Sequence, residues 1–156
     1  MVAFNLGDDM NKYMEAALKE AQKAYEIDEV PIGAVIVKDG KIIARAHNLR
    51  ESKQLSTAHA EILAIEKACK KMKTWRLEDC DLYVTLEPCP MCAGAILQSR
   101  IRKVYFGACD PKGGSVISCM KMYESKGYNH YPAYEKLETE ECSYILKDFF
   151  RKKRMK

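Results

Sequence analysis

The segment from residue 82 to residue 107 most constrains the fold of this chain. Residues 82–86 and 103–107 have the apolar and aromatic composition of strands, and residues 90–98 between them are typical of a helix. Pro90 suits the first position of that helix, where a missing amide hydrogen costs nothing. Two strands joined through a helix predict a parallel crossover, so we expect a sheet with a parallel part.

Periodicity predicts further elements on both sides of this crossover. Apolar residues between Met10 and Tyr25 recur at three- and four-residue spacing, which indicates a packing helix opened by Asp8 and Asp9. Residues 33–37 and 41–46 are strand-like, and the Asp39-Gly40 pair between them predicts a tight hairpin turn. The remaining predictions are a helix over 58–72 capped by Ser56 or Thr57, a loop over 110–114, a short helix over 115–125, a strand over 133–137, and a last helix with the apolar stripe Cys142, Ile145, Leu146, Phe149 and Phe150.

Length and composition bound the organisation of the chain. With 156 residues and no internal repeat or linker, we expect one α/β domain over residues 1–156. The first nine residues lack the pattern of a secretion signal, and no apolar stretch is long enough to span a bilayer. The seven cysteines are odd in number and mostly isolated, which suits a reducing compartment. We therefore expect a cytoplasmic protein that does not enter membranes.

The positive charge of the chain is concentrated at its C-terminal end. Five of the last six residues are basic, and without them the chain has 21 basic and 22 acidic residues. A near-neutral body with a cationic end can attract a polyanion such as nucleic acid. The alternative is a solvated, frayed terminus, which the charge run alone favours.

Three residues have the chemistry and spacing of a catalytic zinc site. His59 stands at one predicted helix start, and Cys89 and Cys92 stand three residues apart at another. One imidazole and two thiolates are ligands that zinc accepts, and three protein ligands leave a fourth position open for catalysis. The positive ends of both helices would favour thiolates at this place.

Glu61 adds an acid-base group two residues after the histidine. A water made acidic by zinc still needs a group that takes its proton and hands it to a leaving amine. His-x-Glu together with Pro-Cys-x-x-Cys is the pattern of zinc nucleobase deaminases. Each half alone is weak, since a lone helix histidine is more often structural and Cys-x-x-Cys also occurs in thioredoxin-like redox pairs.

At these residues the chain resembles the bacterial tRNA-specific adenosine deaminases of the cytidine-deaminase-like superfamily. The resemblance runs from about residue 30 to residue 154. Its segments are residues 30–35 (VPIGAV), 57–61 (TAHAE), 82–95 (LYVTLEPCPMCAGA), 106–108 (FGA), 110–114 (DPKGG), 129–130 (NH) and 149–151 (FFR).

The resemblance implies a three-layer fold with a central five-stranded mixed sheet flanked by helices, and a homodimer. It implies one Zn²⁺ per chain bound by His59, Cys89 and Cys92, with Glu61 as the proton shuttle. The substrate would be a tRNA anticodon stem-loop, whose wobble adenosine is deaminated to inosine. The substrate contacts it implies are Asn48 to the target base, Asp110 and Lys112 to the nucleotide chain, and Phe149 and Arg151 to the anticodon loop.

Three other functions fit parts of the same pattern. A free-base deaminase for guanine or cytosine uses the same zinc set, although the basic end argues against it. A silent zinc-binding or RNA-binding subunit has no need of Glu61. A redox protein predicts a disulfide between Cys89 and Cys92, and leaves His59 and Glu61 unexplained.

The remaining cysteines and His47 are predicted to be structural. Cys69 and Cys142 lie on apolar helix faces, and Cys80, Cys109 and Cys119 have no partner at metal-ligand spacing. We expect these five to be packing residues. His47 ends a predicted strand, where a structural role is expected for it.

Overall fold

The computed structural model describes residues 10–155, which form five strands and five α-helices. The strands are β1 (Gly33–Lys38), β2 (Lys41–His47), β3 (Cys80–Val84), β4 (Lys103–Phe106) and β5 (Ala133–Lys136). The helices are α1 (Lys12–Glu26), α2 (Arg50–Lys53), α3 (Ala60–Met72), α4 (Pro90–Gln98) and α5 (Glu140–Arg154).

The strands form one mixed sheet in the order β2-β1-β3-β4-β5. β1 pairs antiparallel with both β2 and β3, whereas β3, β4 and β5 run parallel. The hairpin at Asp39-Gly40 and the parallel crossover through α4 are both confirmed. The predicted five-stranded mixed sheet flanked by helices is the observed architecture.

Side chains alternate between two cores, one on each face of the sheet. Leu82 and Val84 of β3 enter a core with α3 and α4, while Tyr83 between them enters a second core with α1. Cys142 joins this second core from α5. This alternation is the period of a strand that is covered on both faces, and it produces three layers.

Gly33 allows α1 to lie unusually close to the sheet. A Cβ atom at this position would lie 2.0 Å from the carbonyl oxygen of Ala17 and 2.5 Å from the amide nitrogen of Ala21. Any side chain at residue 33 would therefore push α1 away from β1, so the glycine is required by the packing.

Two predicted helix caps differ in the structure. Asn11 caps α1, because its side chain accepts hydrogen bonds from the amides of Tyr13 and Met14 at 2.8 and 3.1 Å, while Asp8 and Asp9 lie outside the described residues. The prediction that Ser56 or Thr57 caps the next long helix is wrong. That helix begins at Ala60 with His59 as its N-cap, since a turn closed by the amide of Ala58 occupies the preceding residues.

The short helix predicted over residues 115–125 is also wrong. This segment is a series of turns with one 3-10 helix, Met122–Glu124. The amides of Val116, Ile117 and Ser118 bond to the carboxylate of Glu87. A helix would need its backbone groups for bonds within the segment, so this outside acceptor favours turns instead.

The basic end is helical rather than frayed as far as it is described. Helix α5 continues to Arg154, and its last residues are exposed, while Lys156 lies outside the described residues. Among residues 10–155, no helix combines the length and apolar character needed to cross a membrane.

Candidate metal centre and active site

The three predicted metal ligands meet at the starts of two helices on the same face of the sheet. His59 is the N-cap of α3, Cys89 is the N-cap of α4, and Cys92 is the third residue of α4. Pro90 occupies the first position of α4, as predicted. Both helices direct their positive ends at the cluster, which favours thiolate ligands.

The donor atoms are spaced as a tetrahedral zinc site requires. Nδ1 of His59 lies 3.6 Å from Sγ of Cys89 and 3.5 Å from Sγ of Cys92, and all three donor atoms lie within 4.8 Å of one another. Tetrahedral zinc with bonds of about 2.0 Å to nitrogen and about 2.3 Å to sulfur separates such atoms by about 3.5 Å. The residues therefore fit a zinc ion without rearrangement.

The electrostatics of the cluster favour an ionised thiol. A hydrogen bond from the Cys92 thiol lowers the pKa of Cys89 to about 4, and the neighbouring ring of His59 contributes in the same direction. Because thiolates and not thiols bind metal ions, one ligand of the set is already in its binding form at neutral pH.

Glu61 is buried beside the three ligands, with only 4% of its surface exposed. It is the second residue of α3, two residues after His59, and its carboxyl interacts electrostatically with Cys89 and His59. Burial raises the pKa of this carboxyl to about 7. A group with such a pKa can both accept and donate a proton near neutral pH, which is the property of an acid-base catalyst.

Asn48 is buried and holds a turn next to this site. Its side-chain amide donates to the carbonyl of Val30 at 3.2 Å, and its side-chain oxygen accepts from the amide of Arg50 at 3.1 Å. These bonds are the turn-capping contacts that asparagine commonly makes. The contact between Asn48 and a target base stays a prediction.

A groove of about 850 Å³ lies between α5 and two loops, and none of the three ligands or Glu61 is among the residues that line it. Arg50 lines it, and the charge of Arg50 also acts on the ring of His59. Asp110 and Lys112 also line it, so two of the predicted substrate residues border this groove. The α5 wall consists of Ser143, Leu146, Lys147, Phe150, Lys153 and Arg154.

Comparison with known proteins identifies the family. A family model for the MafB19-like deaminases matches residues 8–154. The tRNA-specific adenosine deaminase of Bacillus subtilis (strain 168) is 57% identical over 145 residues, which cover 92% of this chain and 90% of the relative. That of Aquifex aeolicus (strain VF5) is 49% identical over 142 residues, covering 91% and 94%. The chain belongs to the family of tRNA-specific adenosine deaminases.

Solved structures agree with membership of the tRNA-specific adenosine deaminases. One structure, from studies of A-to-I editing by tRNA:A34 deaminases at the wobble position, is similar with a TM-score of 0.84 and 49% identity, and covers 86% of this chain and 99% of its own. A guanine deaminase from Bacillus subtilis is also similar, with a TM-score of 0.62 and 33% identity, and covers 92% and 95%.

Phe149 and Arg151, which are predicted to contact the substrate, do not line the groove. Phe149 is buried and packs edge-on against Tyr25, with ring centroids 5.8 Å apart. Arg151 donates a hydrogen bond of 2.6 Å to Asp148 of the same helix. Neither lines the groove described above, so their RNA contacts stay predictions.

Sequence reasoning missed the α5 residues that do line the groove. Phe150, which is 45% exposed, and Lys147 belong to a stripe that starts at Ser143 and recurs every three or four residues. This helical spacing is a signal that could have separated the groove face from the packing face. Arg50 was missed as well, because nothing local to the sequence marks it.

Part of the basic end is balanced by carboxylates of the protein. Lys152 lies 3.5 Å from Asp148, which also pairs with Arg151, and Lys153 lies 2.7 Å from Asp28. The field that this helix presents to a polyanion is therefore weaker than the count of basic residues suggests.

The predicted structural residues have mixed outcomes. Nδ1 of His47 lies 3.0 Å from Glu20 on α1, a contact that joins two elements. Cys80 and Cys142 are buried packing residues, as predicted. For Cys119 the prediction is wrong, because this thiol is exposed, on a turn that lies outside both cores.

Proposed function

We propose that this protein hydrolyses adenosine to inosine at the wobble position of a tRNA anticodon. The observation that supports this most strongly is the convergence of His59, Cys89 and Cys92, at the spacing of a zinc site, beside the buried carboxyl of Glu61. A site with an open coordination position and an acid-base group fits hydrolytic removal of an amine.

His59, Cys89 and Cys92 would hold the zinc ion. The chemistry supplied by bound zinc is to acidify a water molecule, so that its oxygen can attack carbon 6 of adenine at neutral pH. Glu61 would take up a proton from the attacking water and deliver it to the ring nitrogen next to carbon 6 of the purine. The bond between carbon 6 and the amino nitrogen then breaks, so that adenosine and water yield inosine and ammonia.

The groove supports an RNA substrate over a free base. It combines the cations Arg50, Lys112 and Lys147 with the exposed ring of Phe150. Positive charge attracts the phosphate backbone, and an exposed aromatic ring offers a surface on which an unpaired base can stack. Bases of an anticodon loop are already unpaired, which lowers the cost of extracting the target.

The groove lining and the family resemblance together support a set of individual substrate contacts. Asp110 and Lys112 would contact the nucleotide chain from one wall, and Asn48 would hydrogen-bond the target base. Phe149 would act by packing α5 in place, and Phe150 would meet the anticodon loop. Arg151 is held in an ion pair with Asp148, so it would have to contact RNA while paired or after leaving this pair.

Following the family resemblance, we also propose a homodimer that works in the cytoplasm. Sedimentation of the holoenzyme at several concentrations tests the first point. A species with the mass of one chain, at all concentrations, would contradict it.

A second candidate is deamination of free guanine. The similarity to a guanine deaminase at 33% identity favours this candidate, because the two chains cover more than nine-tenths of each other. A free base needs no cationic groove, so the two functions predict different substrates and different salt dependence.

Ammonia release tests both functions in one experiment. The zinc-loaded protein is incubated with an anticodon stem-loop that carries the wobble adenosine, with the same stem-loop carrying guanosine there, and with free guanine, cytosine and adenosine. We expect one ammonia and one inosine per adenosine stem-loop, and about one zinc per chain. Release from guanine without release from RNA would establish the second candidate. Metal-free protein with oxidised Cys89 and Cys92 would overturn both.

A further inference from the structure

A buried carboxylate stands two residues before the first cysteine ligand. Glu87 is 2% exposed, and its two oxygens accept five hydrogen bonds. Oε1 accepts from the amide of Asp110 at 3.0 Å and from the hydroxyl of Ser118. Oε2 accepts from the amides of Val116, Ile117 and Ser118 at 3.0, 2.8 and 2.9 Å.

These five donors come from the two ends of one surface segment, residues 110–118. Its first residues, Asp110 to Lys112, form a wall of the groove. The segment is also tied to the loop between β3 and the cysteine ligands, since the amide of Ser115 donates to the carbonyl of Pro88 at 2.9 Å. The groove wall is therefore connected to the metal centre through Glu87 and its neighbour.

Gly114 provides the space that the carboxylate occupies. A Cβ atom at residue 114 would lie 2.3 to 2.5 Å from the carboxyl atoms of Glu87. The segment and the carboxylate thus fit each other from both sides, and a change on either side disturbs the same contact.

We propose that Glu87 is a positioning residue for RNA, which holds residues 110–118 in the shape that Asp110 and Lys112 need beside the metal centre. The inference rests on the proposed function for its substrate. A carboxylate suits the role because it only accepts hydrogen bonds, and all five partners are donors.

The central test compares Glu87→Gln with the same kind of change at a carboxylate of the preceding strand β3. A glutamine would turn an NH2 group toward at least one backbone N–H, whereas Asp81→Asn alters a carboxylate at the far end of β3 that binds Arg102. With zinc-loaded enzyme and the anticodon stem-loop, we expect Glu87→Gln to raise KM about tenfold or more, to change kcat less, and to leave zinc content intact. Asp81→Asn should leave both constants unchanged.

Two further readouts separate positioning from folding. Amide hydrogen exchange at residues 116–118 should accelerate about a hundredfold or more in Glu87→Gln, while exchange in β3 stays slow. Gly114→Ala should reproduce the rise in KM, and in a Glu87→Ala background the same glycine change should add almost nothing, because the clash is gone. Ser118→Ala removes one donor and should shift KM in the same direction by less.

Full additivity of Gly114→Ala and Glu87→Ala would overturn the proposal. Unchanged amide exchange at residues 116–118 in Glu87→Gln would also overturn it. The same holds if Glu87→Gln and Ser118→Ala both lose zinc, kcat and protection of core amides to the same extent, because Glu87 would then be an ordinary core residue. Failure of the wild-type enzyme to deaminate the stem-loop would instead refute the proposed function and the RNA role with it. The exchange and double-substitution measurements would still show whether Glu87 holds the segment.

Discussion

The hydroxyl of Tyr25 on α1 donates a 2.5 Å hydrogen bond to the carboxylate of Asp148 on α5. This bond, together with that from Arg151, lowers the pKa of Asp148 to about 2, below its ordinary value of 3.8. A carboxyl whose pKa is lowered by folding stabilises the folded state fully above its ordinary pKa. That stability is lost as the pH falls toward the pKa in the folded state.

Replacement of Asp148 by asparagine should therefore destabilise the protein in a pH-dependent way. We expect Asp148→Asn to unfold at lower denaturant concentration than wild type at pH 5 to 7. The difference should shrink as the pH falls from about 4 to about 2, because protonation then removes the same charge from the wild type. Denaturant titrations of both proteins at each pH measure it. Any loss of metal in acid affects wild type and Asp148→Asn alike. A difference in stability that does not change with pH would contradict the lowered pKa of Asp148.

Zinc removal should be traceable to the three ligands. Cys92→Ala is expected to bind far less than one zinc per chain, because two remaining ligands do not complete a site. Chelation of the wild-type protein should lower its unfolding temperature, since the ion binds the folded state. Metal analysis and thermal unfolding measure the two effects. Cys119→Ala, at an exposed cysteine, is the control and should keep its zinc.

Glu61→Gln should retain zinc and fold while losing catalysis. A positioned acid-base group contributes roughly 100- to 10,000-fold to the rate, so kcat should fall by about 100-fold or more. Glu66→Gln, at an exposed glutamate of the same helix, should have nearly wild-type turnover. Single-turnover rates with saturating enzyme are the measurement. Normal rates in Glu61→Gln would require another proton carrier.

Phe149 and Phe150 should have opposite effects although they are neighbours. Phe149→Ala should cost about 3–5 kcal/mol of stability, because it leaves a cavity between α1 and α5. Phe150→Ala should change stability little and weaken stem-loop binding by about 1–3 kcal/mol, as expected for loss of a stacking surface. Unfolding curves and equilibrium RNA binding distinguish them. If Phe149→Ala weakened RNA binding and Phe150→Ala lowered stability instead, the assignment of Phe150 to the RNA-binding groove would be wrong.

Lys112 and Lys152 should differ in their contribution to RNA binding. Lys112 lines the groove, whereas Lys152 lies 5.5 Å from the centre of the Tyr25 ring and near Asp148. Lys112→Ala should weaken stem-loop binding and make the slope of log affinity against log salt shallower by about 0.7. Lys152→Ala should change that slope less. Equal slopes for the two variants would mean that the groove does not guide the backbone.

The sequence by itself determined the features that depend on short stretches of chain. The Asp39-Gly40 hairpin, the crossover through α4, and the placing of Cys89 and Cys92 on one helical turn follow from local spacing. The convergence of these cysteines with His59 could also be predicted, although they are 30 or more residues apart, because His-x-Glu together with Pro-Cys-x-x-Cys is the pattern of one shared zinc site.

Only the tertiary structure decided how residues respond to partners that are distant in the chain. Residues 115–125 are predicted from the sequence to be a short helix, yet Glu87, about 30 residues away, accepts hydrogen bonds from three of their amides and holds the segment in turns. Phe149 and Phe150 are the same residue type, but only Phe149 faces α1, where it packs against Tyr25 and is buried. Local periodicity records that a side chain is apolar or charged, but the free energy of burial or pairing depends on what the fold brings against it.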